Sequence, residues 1–163
     1  MIEWPENYRL DETAVHVHNE MDMPVPPEAI WAWLIRADLW PTWYPNSENV
    51  RIEGEKVGLQ LGSRFSWKTF GVSIDSKVEE FRPFERLGWT AKGRGIDAYH
   101  SWLIEGRQSG CHVVTEENQN GWLARLGHMT RPNNMSRNHQ IWLEKLLEKA
   151  KGGLPPPAPS ANR

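Results

Sequence analysis

The chain has 163 residues, 39% of them hydrophobic and 25% charged, with a net charge of -2. That balance describes one ordinary soluble domain whose apolar residues suffice for a core without disulfide or metal. Nineteen basic against twenty-one acidic residues, with no basic run, exclude the electrostatic footprint of a nucleic-acid binder. The single cysteine, Cys111, forms no internal disulfide and fits a reducing compartment. No stretch approaches the roughly 20 apolar residues of a membrane span. The first twelve residues carry acids and Pro5 where a signal peptide would be positive and apolar, so the expected location is cytoplasmic. Tryptophan is the outlier: ten residues, from Trp4 to Trp142, enough for bulky core walls or for a site that takes flat or apolar ligands.

In chain order, residues 1–12 form an exposed arm. From Thr13 to Met23, Val15, Val17, Met21 and Met23 alternate with polar residues, the period of a strand with one wet face. His16 and His18 share that wet face, and with no third ligand nearby in sequence no metal site is assigned to them. Pro26, Pro27 and Glu28 suit the first turn of a helix, whose stripe is Ile30, Trp33, Leu34 and Ala37. Pro41 and Pro45 then limit the chain to one short turn carrying Trp40, Trp43 and Tyr44. A brief strand near Val50 and Ile52 follows, and a connection through Gly54, Gly58 and Gly62.

From Ser63 the strands come at regular intervals: around Phe65 and Trp67, from Val72 to Phe81, around Leu87 and Trp89, from Ile96 to Glu105, and from Cys111 to Gln119. On the last pair His100, Trp102 and Ile104 share one face, and Cys111, Val113, Thr115 and Glu117 another. Hydrophobicity alone does not say which faces point inward. With a loop around Gly106 to Gly110, simple pairing puts Glu117 nearer Ile96 to Tyr99, so that its contact with His100 is diagonal.

The C-terminal helix is the organising element. Met135, His139, Trp142, Leu146 and Ala150 recur at three-and-four spacing between Pro132 and Gly152, with Asn133 and Asn134 as N-cap candidates and Lys145, Lys149 and Lys151 near the end. Roughly 18 residues of helix span about 27 Å, enough to cover a small sheet. After it, residues 152–163 are a Pro-rich tail, read as extended or disordered.

This order, with the stretches MPVPPEAIWAWLIRADLWPTWYP (23–45), VEEFRPFERLGW (78–89) and HSWLIEGRQSGCHVVTEENQNG (100–121), resembles the SRPBCC superfamily of START-like, helix-grip proteins, and within it the bacterial polyketide cyclase/dehydrase-like group. The resemblance implies an α+β helix-grip domain over 13–151: a curved antiparallel sheet of six or seven strands wrapped round the C-terminal helix, with a short helix pair after the first strand. It further implies that the face carrying Trp102 and Glu117 points into a cavity. Trp43, Trp67, Trp89, Trp102 and Thr115 would then line it, closed by Met135, His139 and Trp142, with Glu117 and His100 as candidate catalytic groups. An inward carboxylate among aromatics must be paired, protonated or ligand-bound, because a bare buried charge is costly.

No phosphate-binding Gly loop, His-Glu-x-x-His motif, Cys-x-x-Cys pair or serine elbow is present, so no metal and no cofactor is assigned. The leading expectation is binding of a small apolar or aromatic ligand of lipid or polyketide type. The alternatives are a cyclase or dehydratase-type enzyme using Glu117 and His100, and a protein-interaction module. A closed cavity without a titrating pair favours the first, a carboxylate and histidine within hydrogen-bond reach the second, and a large exposed apolar patch the third.

Overall fold

Buried and exposed side chains alternate on the first strand, while central strands bury both faces, in the one seven-stranded antiparallel sheet of the computed structural model, which describes residues 2–55 and 57–157. The strands are β1 (Val15–Met23), β2 (Glu48–Ile52), β3 (Arg64–Thr69), β4 (Val72–Arg82), β5 (Arg86–Gly93), β6 (Ile96–Arg107) and β7 (Gly110–Asn120). Their order is β1-β7-β6-β5-β4-β3-β2, so β2 to β7 form a meander and β1 closes beside the last strand. The long crossover from β1 to β2 holds α1 (Pro27–Leu34) and a 3-10 turn at Ala37–Thr42. A curved sheet round a long C-terminal helix, with short helices after the first strand, is the architecture expected from the sequence.

That long helix is α3 (Asn134–Lys151), which buries His139, Trp142, Leu143, Leu146, Leu147 and Ala150. It is preceded by α2 (Trp122–Thr130), in a stretch to which the sequence assigns no element. The reason is physical: α2 is nine residues long, contains Gly127 and buries only Ala124, so it has no full apolar stripe to announce it.

Two peripheral segments are better anchored than their composition suggests. In the N-terminal arm Tyr8 is buried, its hydroxyl donating to Asp97 at 2.6 Å while its carbonyl accepts from Asn118 Nδ2 at 2.6 Å. The start of the Pro-rich tail is fixed along α1, where Trp33 Nε1 donates to the Gly153 carbonyl and Arg36 Nη1 to that of Pro156, both at 2.7 Å.

Between sheet and helix the core is largely aromatic, with Trp142 at its centre. Tyr44 stacks on it at 4.3 Å between ring centroids, Trp40 and Trp102 meet it edge-on at 5.1 and 5.2 Å, and Trp67 lies at 6.0 Å. Trp102 and Trp142 are 0% and 1% exposed, so both act as packing residues. Trp142→Ala and Trp102→Ala should each lower unfolding free energy in urea by about 3–5 kcal/mol. A much smaller loss at Trp102 would mean that open space already adjoins its ring.

Candidate functional site

The site begins with a turn. β6 and β7 run to paired Arg107 and Gly110, leaving only Gln108 and Ser109 between them. A two-residue turn fixes the hairpin register, and here it sets His100 directly opposite Glu117 and Trp102 opposite Thr115. The diagonal relation expected from a loop around Gly106 to Gly110 is therefore corrected, because the strands continue through Gly106 up to the turn.

The third member comes from α3. His139 Nε2 donates to Glu117 Oε2 at 3.2 Å, and His100 Nδ1 lies 3.2 Å from the same oxygen. The other oxygen, Oε1, accepts from Gln119 Nε2 at 2.5 Å. An ionised carboxylate only accepts, so both facing imidazole nitrogens carry hydrogen. In a neutral His100 this leaves Nε2 to accept from the Thr115 hydroxyl, 2.7 Å away. In a neutral His139 it leaves a lone pair on Nδ1, which is buried and has no partner among the described residues.

All three residues are buried, and burial is the largest influence on two of them. It pushes the Glu117 carboxyl up, but hydrogen bonds and attraction from His100 and His139 outweigh it and hold the group well below the usual carboxylate range. It pushes His100 below its ordinary 6.5, against the opposing pull of Glu117. The imidazoles stack at 4.8 Å, Trp102 stacks behind His100 at 5.6 Å, and Trp89 lies 4.8 Å from it.

Beside this cluster is a cavity of about 30 Å³, lined by Tyr44, Trp67, Trp89 and Trp142 with His100, Glu117 and His139. That is room for a small polar group, not for a whole ligand. The indole N–H groups of Trp89 and Trp142 are buried without a partner among the described residues. Outside lies a basin of about 500 Å³ between α2 and the sheet, with Val15, Val72, Leu123, Leu126 and Met135 on its walls. Phe70, Ile96 and Gln119 line both spaces and stand at the boundary where they adjoin. Phe70 sits at the β3–β4 turn with a left-handed φ of 49°, followed by Gly71 at 76°, as a tight hairpin turn requires.

Of the residues expected to line one cavity, Trp67, Trp89, His100, Glu117, His139 and Trp142 meet at the inner space. Trp43 instead packs beside Tyr44 at 6.5 Å, Trp102 and Thr115 support His100 from behind, and Met135 belongs to the outer basin. Sequence reasoning missed Gln119, Tyr44 and Phe70. Gln119 was available as the next residue on the Thr115 and Glu117 face, and Tyr44 as the end of the aromatic turn.

His100, Glu117 and His139 are also, among the described residues, the one group whose donor atoms gather closely enough for a metal, all within 4.8 Å. Two imidazoles and a carboxylate suit a first-row transition ion. The same atoms are already satisfied by one another, with both imidazoles turned to a single carboxylate oxygen. The outer-face histidines are engaged elsewhere: His16 with Asn118 at 2.6 Å, and His18 with Glu116 and Glu20.

The helix-grip sheet with a polar cluster under its long helix defines a class of cavity proteins. The chain belongs to the family described as polyketide cyclase / dehydrase and lipid transport, whose model matches residues 14–150. A hypothetical protein from Helicobacter pylori is 29% identical, with a TM-score of 0.85, over 92% of this chain and 96% of its own. The ZhuI aromatase/cyclase from Streptomyces sp. R1128 shares the fold at 14% identity and a TM-score of 0.67, covering 84% of this chain and 93% of that one. Norcoclaurine synthase from Thalictrum flavum does so at 10% and 0.65, covering 85% and 94%. No curated protein matches the chain.

The pKa directions predict the acid response. Both His100 and Glu117 bind protons less readily folded than unfolded, so the unfolded state gains protons first and stability falls with pH. The decline should begin below about 6.5 through His100 and steepen below about 4.5 through Glu117. In Glu117→Gln the lower limb should flatten, as read in urea melts at successive pH. Carbon-13 titration of the Glu117 carboxyl should show it ionised throughout the neutral range, with a midpoint that rises in His100→Ala.

Proposed function

We propose that the protein is a proton-transfer enzyme of cyclase or dehydratase type, acting on a small, mainly apolar or aromatic carbonyl compound. The observation that carries this reading is the buried carboxylate held between two imidazoles in the wall of an aromatic inner space. A carrier needs apolar walls; it has no use for a depressed, fully hydrogen-bonded carboxylate that orients a histidine.

The roles follow from the hydrogen bonds. Glu117 is too weakly basic to take a proton from carbon, since its carboxyl lies well below the usual range. It fixes the His139 tautomer and stabilises the imidazolium that forms, the part a buried carboxylate plays beside a catalytic histidine. His139 lines the inner space, and its buried Nδ1, without a partner among the described residues, is the base. It removes a proton from the carbon next to a carbonyl, and the Trp89 and Trp142 N–H groups are the donors available to the developing enolate oxygen. In cyclisation that carbon attacks a second carbonyl of the same molecule, whose C=O π electrons pass to its oxygen, and that oxygen takes the proton back from the imidazolium. In dehydration the imidazolium returns the proton to a departing hydroxyl, which leaves as water. His100, neutral and hydrogen-bonded to Thr115, completes the cage around Glu117.

Size divides the substrate. Its reacting end enters the inner space of about 30 Å³, while its body stays in the basin of about 500 Å³, a volume within the ordinary range of small-molecule sites. The basin also suits simple binding of the same ligand class, and that reading remains if chemistry is absent.

2-Tetralone, a planar bicyclic ketone, is a direct probe. Wild-type protein in deuterium oxide should accelerate exchange of its α-hydrogens, followed by proton NMR. His139→Ala and Glu117→Gln should slow the catalysed exchange by about 10² to 10⁴ while circular dichroism stays native. Wild-type exchange no faster than the variants, for this and for one- and three-ring ketones, would leave a binding protein; native mass spectrometry would then be used to find what it holds.

A further inference from the structure

The outer surface of α2 does not take part in the chemistry above, yet it is the most apolar exposed feature near the basin. Trp122, Leu126 and Met129 are 59%, 47% and 79% exposed. At 100° per residue they fall within a stripe about 60° wide, on the side of the helix away from buried Ala124. The helix walls the basin through Leu123, Ala124, Leu126 and Gly127, so the stripe meets the basin at Leu126 and rims its mouth. Phe70, 37% exposed, stands on the opposite rim.

Charge around the stripe has one sign. From Asn118 to Leu143 the chain contains Arg125, Arg131 and Arg137 and no acidic residue, although the whole chain is net acidic. Arg94 adds a fourth exposed cation from the β5–β6 turn, whose Gly95 packs against Trp122. None of these four arginines is in a salt bridge with a described residue.

We propose that α2 is a docking element for an anionic lipid bilayer, inserting Trp122, Leu126 and Met129 into the headgroup boundary while the arginines meet lipid phosphates. An apolar stripe with an interfacial tryptophan and cationic flanks is the pattern of a helix lying in the plane of a membrane surface. A second copy fits worse: a two-fold contact through the same patch would set arginines of one copy against those of the other. Among the described residues no helix is long and apolar enough to cross a membrane, so the contact is peripheral. Docked this way, the mouth opens onto lipid, and an apolar molecule passes between bilayer and basin without crossing water. The inference stands apart from the proton-transfer reading, since either can fail alone.

Vesicle co-sedimentation tests it. The full-length protein should pellet with phosphatidylglycerol-containing vesicles, less so at raised salt, and should stay in solution with pure phosphatidylcholine. Arg125→Gln and Arg131→Gln should each lower partitioning about fivefold, and Trp122→Ser combined with Met129→Ser should abolish it. These side chains are exposed, so the folded state is retained, and an unchanged circular dichroism spectrum and urea melt would confirm intact protein. The proposal is overturned if the wild type ignores anionic vesicles, or if the serine variant binds as well as wild type. It is likewise overturned in favour of a second copy if sedimentation velocity without lipid shows a dimer that the serine variant disperses.

Discussion

A negative charge buried under a helix constrains this structure more than any other feature. An isolated carboxylate in such a place would cost several kcal/mol or would take up a proton. Glu117 escapes both because three donors reach it from three places: His100 on the facing strand, Gln119 two residues on, and His139 from α3. The β6–β7 register, the seating of α3 and the rotamer of Gln119 are therefore tied together. A shift of one residue in the hairpin would turn His100 to the outer face and strand the charge.

Aromatic packing makes this arrangement rigid. The imidazoles stack on one another, His100 also stacks on Trp102, and Trp142 wedges edge-on against His100 at 5.3 Å. Large flat side chains with few rotatable bonds hold position at little entropic cost. They also exclude water from the carboxylate, which strengthens its hydrogen bonds. Tryptophan abundance, the oddity of the composition, thus serves mainly as scaffold. Of the tryptophans expected as walls, only Trp67, Trp89 and Trp142 line the inner space.

Strand spacing, the prolines opening α1 and the stripe of α3 made the architecture legible, because each is a local pattern with one physical cause. The pairing of Glu117 and His100 was legible as a shared face but not as a contact. That depends on the turn at Gln108 and Ser109, where glycines on either side suggested a longer loop. His139 could be placed on the buried side of its helix, but its partner lies across the core, 22 residues away in sequence. The element α2 was invisible for the opposite reason: its apolar residues face outward, so periodicity offered no core for it to serve. Met135, on the stripe of α3 yet beside α2, went to the wrong space because the basin did not exist until α2 was placed.

Phe70 stands at the boundary where the inner space and the outer basin adjoin. Phe70 projects from a two-residue hairpin turn, outside the tightly packed core, and is held in a backbone conformation that side chains rarely adopt. The boundary between the two spaces is thus set in part from the tip of a hairpin, where replacement is tolerated far better than in the interior. Related chains can exchange bulk at this tip and admit differently shaped molecules while leaving the carboxylate and its imidazoles untouched. Bulk at the tip and polarity at the carboxylate are thus structurally separable.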